Sequence, residues 1–150
     1  MQFWDLHKTI TNYYEAVTKE VCKKYNLTQM EYSILMFLYN NPQYATAADI
    51  VKVRKSTKSH VSVSLKHLEE KGLVARIQNA ENKKHVEIVL LEAASQVIEE
   101  GIQAQNTFGK AVFKGFSKEE IQMCNEMFLR ICSNAEEQLH VLNKTEYRME

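Results

Sequence analysis

Apolar residues recur at three- and four-residue steps through Phe3, Leu6, Ile10, Tyr13, Tyr14, Val17 and Val21, the spacing that lays one stripe along an amphipathic helix ending near Tyr25. Leu27-Thr28 interrupts it. Thr28 with Glu31 three residues on is a capping box, in which hydroxyl and carboxylate satisfy free N–H groups at a helix start, so a second helix is expected as far as Tyr39, ended by Asn40-Asn41-Pro42. Thr46 with Asp49 repeats the signal with a shorter carboxylate and opens a short helix expected to hold Ile50 and Val53 inward. Ser56 or Thr57 caps the next, whose Val61, Leu65 and Leu68 share one stripe. That helix ends at Glu69-Glu70-Lys71-Gly72, where glycine can take the left-handed conformation that closes a helix.

After Gly72 the period shortens. Leu73-Val74-Ala75-Arg76-Ile77 and Val86-Glu87-Ile88-Val89-Leu90 are rich in β-branched residues, and the polar run from Asn79 to Lys84 reads as a hairpin tip. Helical spacing resumes from Glu92 to about Phe116 with Val97, Ile98, Ile102, Phe108, Val112 and Phe113, and Ser117 with Glu120 writes another capping box. The last helix carries Ile121, Cys124, Met127, Phe128, Ile131, Cys132, Ala135 and Leu139, a stripe wide enough to want a partner surface. The predicted order is a long helix, three short helices, a hairpin and two long helices: mainly α, with one small β-hairpin, and no repeat or linker to divide it.

Composition narrows the class. With 45% hydrophobic residues, one quarter charged, four glycines and one proline, the chain is neither disordered nor collagen-like nor of low complexity. Its 150 residues suffice to bury about 70% of the unfolded surface as one domain. No stretch reaches the roughly 18 apolar residues of a membrane span, and Met1 to Leu6 lacks a basic segment followed by an apolar one, so the expectation is a cytoplasmic chain without membrane contact. Cys22, Cys124 and Cys132 contain no Cys-x-x-Cys, which writes neither a disulfide framework nor a zinc knuckle. No two of His7, His140 and the cysteines stand at i,i+3 or i,i+4, so no metal is expected. There is no glycine-rich phosphate loop, nucleophile elbow or His-Glu-x-x-His, hence no enzyme, catalytic residue or cofactor is expected.

Charge is the informative quantity. Nineteen basic and nineteen acidic side chains cancel, yet they are not mixed. Residues 51–85 carry nine basic side chains (Lys52, Arg54, Lys55, Lys58, Lys66, Lys71, Arg76, Lys83 and Lys84) against three acidic ones, a net of +6, and the rest of the chain sums to −6. A one-signed segment of this kind is the footprint of phosphate binding, where each neutralised phosphate releases counterions, although a solvated face would carry lysines as well. At 100° per residue the face of the Thr57–Lys71 helix opposite Val61, Leu65 and Leu68 holds Ser59, Ser62, Val63, Lys66 and Glu70, with His60 and His67 on one flank. Such a small polar face lets backbone approach the major groove, and Val63 at its centre suits a thymine methyl. Lys83 and Lys84, with Arg76 on the first strand, would form a positive finger toward a minor groove or flanking phosphates.

The three thiols are expected mainly as buried structural groups. Lys23 and Lys24 beside Cys22 make it the redox candidate. Trp4, Tyr13, Tyr14, Tyr32 and Tyr39 could line an effector pocket or serve as plain core.

The chain resembles the MarR family of winged helix-turn-helix transcriptional regulators. The resemblance rests on Leu27-Thr28 at the second helix, Thr46-Ala47-Ala48-Asp49-Ile50 in place of the family's Thr-x-x-Glu-Leu, the turn Ser59-His60-Val61-Ser62, and above all Leu68-Glu69-Glu70-Lys71-Gly72-Leu73-Val74 followed by Arg76. It implies a winged unit over 27–91 and dimerisation helices over 1–26 and 92–150, with Phe3, Leu6, Ile10, Phe128, Ile131 and Leu139 at a homodimer interface. The partner would be double-stranded DNA, read at a pseudo-palindromic operator by two recognition helices about 34 Å apart. Lys58, Ser59, His60, Ser62, Val63, Lys66 and His67 would enter the major groove, with Lys55, Ser56, Thr57 and Arg76 on phosphates and Lys83 and Lys84 on the wing. The resemblance further implies a repressor released by a small aromatic or anionic effector, or by oxidation of a cysteine; a winged-helix protein-interaction module is the alternative. Three positions depart from the family. Asn82-Lys83-Lys84 replaces the wing's Asp-x-Arg, Val63 stands where many members have Arg, and Leu90-Leu91-Glu92-Ala93-Ala94 loses a Thr cap.

Overall fold

The structure is a computed structural model that describes residues 3–146, with side chains from Asp5 to Asn143. The helices are α1 (Phe3–Lys24), α2 (Gln29–Asn40), α3 (Ala47–Arg54), α4 (Lys58–Glu70), α5 (Ser95–Val112) and α6 (Lys118–Glu146), with strands β1 (Val74–Gln78) and β2 (Val86–Leu90) between α4 and α5. The packing divides into two compact units, residues 1–109 and 110–150. The first takes in the helices from α1 to most of α5 together with the hairpin, and the second the end of α5 with α6.

Local signals account for the helix starts. The Thr28 hydroxyl accepts from Glu31 N at 3.1 Å while the Glu31 carboxylate accepts from Thr28 N at 3.2 Å. Thr46 and Asp49 make the same reciprocal pair at α3. Thr57 alone caps α4, accepting from His60 N. Gly72 closes α4 at φ 68°, the left-handed region where a side chain would be strained. Strands β1 and β2 pair antiparallel with Val74 opposite Leu90 and Arg76 opposite Ile88. The chain just before α3 adds a third contact, Ala45 O accepting from Ile88 N at 2.7 Å.

The core of the first unit gathers Tyr32, Ile34 and Leu35 from α2, Ile50 from α3, Val61, Leu65 and Leu68 from α4, Val74 from β1 and Val97 from α5, all essentially without exposure. Helix α5 approaches α2 at Gly101, where the Tyr32 hydroxyl donates to Gly101 O and a Cβ would press on Met36 Sδ. Val53 departs from its inward expectation and is 42% exposed. The buried edge of this eight-residue helix passes through Ile50 toward Val51, and Val53 lies about 200° round from Val51. A one-turn 3-10 helix, Glu92–Ala94, precedes α5, and Leu91 before it makes no side-chain cap bond, the local cost of the missing Thr.

In the second unit the Ser117 and Glu120 side chains cap α6 reciprocally, and Phe113 meets Phe116 edge to face at 5.9 Å. Along α6, Met127, Phe128, Ile131 and Leu139 are all about half exposed.

Candidate nucleic-acid interface

Helix α3 ends in a left-handed residue, Lys55 at φ 53°, so the chain turns sharply through Ser56 and Thr57 into α4. With Thr57 capping, the first turn of α4 has no acidic residue, and Lys58, Ser59 and His60 are exposed around the positive end of the helix dipole. Ser62, Val63 and Lys66 continue the same outward face, with Val63 52% exposed. Val61, Ser64, Leu65 and Leu68 point into the core. The outward set is the one the 100° spacing predicted.

The wing tip is shaped by its own amides. Asn79 Oδ1 accepts from Glu81 N at 2.8 Å and Asn82 N at 3.1 Å, Asn82 Oδ1 accepts from Lys84 N at 3.1 Å, and Gln78 Nε2 donates to Lys83 O at 2.7 Å. Lys83 and Lys84 are held exposed on this frame. Asn79 and Asn82 were legible in the sequence only as turn formers.

Of the nine basic side chains, Arg76, Lys66 and Lys71 lie close to carboxylates. Arg76 Nε lies 3.4 Å from Glu69 Oε2 and Lys66 Nζ 3.8 Å from Glu70 Oε1, both exposed pairs that phosphate could replace. Lys71 differs: Nζ donates to Glu31 Oε2 at 2.7 Å and to Asn26 O at 2.6 Å. His67 joins it, with Nδ1 3.1 Å from Glu31 Oε1. The Glu31 side chain is only 2% exposed. Burial pushes its carboxyl up, but hydrogen bonds from Lys71, Thr28 N and His67 outweigh burial and hold it below the ordinary carboxylate value. The His67 ring, expected in the groove, therefore directs one nitrogen back to α2.

Cys22 lacks the exposed, low-pKa thiol that a redox role calls for. Its thiol is buried and donates to Gln29 Oε1 at 3.5 Å, and burial, reinforced by the charge of Glu31, raises its pKa. Lys23 is exposed, and Lys24 pairs with Glu100. Cys124, expected among the buried thiols, is exposed and Cys132 partly so.

Two cavities flank these elements. One of about 530 Å³ lies among α3, α4 and the hairpin, with Ala47, Val51, Val61, Leu65 and Ile88 as apolar walls and Lys58, Ser62 and Arg76 supplying polar atoms. Another of about 390 Å³ has Tyr39, Leu90, Ile98 and Ile102 around Ser95 and Glu99. Tyr32 is core, and Tyr13 and Tyr14 pack on Phe108. Among the described residues no cluster of His, Cys, Asp or Glu is placed to hold a metal, and no helix is long and apolar enough to cross a membrane.

A short helix, a sharp turn, a second helix with a small polar outward face and a two-stranded hairpin define a winged helix-turn-helix. Residues 25–85 match the model of the MarR family, so the resemblance drawn from the motifs between Leu27 and Arg76 holds over that segment. Among solved structures, a regulator assigned to that family from Listeria monocytogenes, complexed with 26mer DNA, is 23% identical with a TM-score of 0.84, over 94% of each chain. The S. aureus MepR–DNA complex is 21% identical with a TM-score of 0.76, over 89% of this chain and 96% of that one. The transcriptional regulator SlyA is 21% identical with a TM-score of 0.80, over 92% and 96%. At these identities the likeness is one of fold.

Proposed function

We propose that this chain is a cytoplasmic transcriptional regulator that binds double-stranded DNA as a homodimer at a pseudo-palindromic operator, and represses until a small aromatic or anionic effector releases it. The observation that carries the reading is the exposed, small, polar face of α4 beside a lysine-tipped wing, within a segment of net charge +6. Ser59, His60, Ser62, Val63 and Lys66 read the major groove, Lys58 standing at its edge. Lys55, Ser56, Thr57 and Arg76 contact phosphates, and Lys83 and Lys84 extend to the flanking groove. Two structural neighbours of the same fold are complexes with DNA, which supports a DNA partner for this chain. Leu6, Ile10, Phe128, Ile131 and Leu139, each exposed in the single chain, supply the dimer contacts together with Phe3, whose side chain lies outside the described residues. An amphipathic anion in the cavity beside α4 would compete with phosphate for Lys58 and Arg76, which supports release by an effector.

Selection from random duplexes at moderate salt tests the reading. A regulator enriches a two-fold symmetric site; recovery of no preferred sequence would reject DNA reading in favour of a protein-interaction module.

A further inference from the structure

We propose that His67 is a positioning residue: with Lys71 it anchors α4 on the buried carboxylate of Glu31, and this anchor sets the tilt of the recognition helix against α2. The inference rests on the DNA-binding reading above but concerns a different link. Glu31 sits in the first turn of α2 and accepts from three donors, namely Thr28 N at its own helix start and His67 Nδ1 and Lys71 Nζ at the far end of α4. Lys71 Nζ also reaches Asn26 O, so the last turn of α4 is held to both sides of the α1–α2 turn. Val61, Leu65 and Leu68 of α4 share one apolar core cluster with Tyr32, Ile34 and Leu35 of α2. Apolar packing is non-directional, whereas charge-assisted hydrogen bonds to one fixed carboxylate are directional.

The geometry amplifies an error made at the anchor. Ser59 lies eight residues N-terminal to His67, about 12 Å along the helix, so a tilt of about 10° pivoting at the anchor displaces the groove-reading end by about 2 Å. A displacement of that size breaks base-edge hydrogen bonds while leaving long lysines able to follow phosphates. Loss of the anchor should therefore erode specificity more than general affinity.

The test uses the full chain, the symmetric duplex recovered by selection and a random duplex of equal length. Glu31→Gln and His67→Ala are each expected to weaken symmetric-site binding about tenfold and random-duplex binding less than twofold, with the double variant no weaker than either single one. Multiplying losses, or a loss confined to His67→Ala, would make His67 a base reader and overturn the proposal. A second measurement needs no DNA and survives a Glu31→Gln chain that does not fold. Residual dipolar couplings of the α2 and α4 amides in free His67→Ala should report a changed or broadened interhelical angle, and couplings identical to wild type would overturn the anchor. Should no duplex be enriched, the regulator reading fails while the couplings still decide the role of His67.

Discussion

Glu31 shows what a single residue can hide. Its place three residues after Thr28 identified the capping box, and the structure contains that box. Its second task was invisible, because His67 and Lys71 are 36 and 40 residues away and nothing local marks them. The pairing gives a pH signature. The folded carboxyl titrates below its ordinary value, so its contribution to stability is complete above about pH 4.5 and is lost as pH falls through the lowered value. Glu31→Gln should cost about 1–3 kcal/mol at pH 7, and the gap from wild type in urea unfolding should close below pH 4.5. Gly101 is a second instance. Gly101→Ala should destabilise by about 1–3 kcal/mol, since its Cβ would press on Met36 Sδ and the Tyr32 ring, and the same substitution made in a Met36→Ala background should cost less.

At the scale of elements, the helix starts were the most legible features, since each is written in two side chains three residues apart. The hairpin was legible from its β-branched strands, and the outward face of α4 from simple rotation about its axis. What failed was the side on which α3 is covered: eight residues hold too few apolar positions to fix a face, and Val53 went outward. The wing divides its labour between charge and shape. Lys84→Ala should lower the slope of log affinity against log salt by about one. Asn79→Ala removes the acceptor that holds Glu81 and Asn82, so it should weaken binding through a looser tip and leave that slope unchanged. Filter binding across salt concentrations separates the two effects.

For the whole molecule, the zero net charge conceals a division between a basic segment and an acidic remainder, which sequence position alone revealed. Fold class was equally accessible, because element order survives where identity to solved relatives falls to about one fifth. Assembly was not accessible in the same way, since an apolar stripe on one chain names no partner. If α6 joins two copies, Phe128→Glu should convert the protein to monomers in sedimentation equilibrium and reduce symmetric-duplex binding at least tenfold, since two linked half-sites become two separate ones. A monomer that keeps wild-type affinity would move the interface elsewhere.

The bond from Ile88 N to Ala45 O, with Thr46 bridged to Glu87, fastens the wing at its root to the segment that starts α3. Motion is thereby divided. The amides of Ile88 and Leu91, bonded to Ala45 O and Leu73 O, should exchange with solvent at rates set by opening of the whole unit, whereas those from Ala80 to Lys84 should exchange through local fluctuation. A wing built this way tolerates new sequence or added length between Asn79 and His85 without disturbing the helix that reads beside it, so the tip is the part of this molecule most open to redesign.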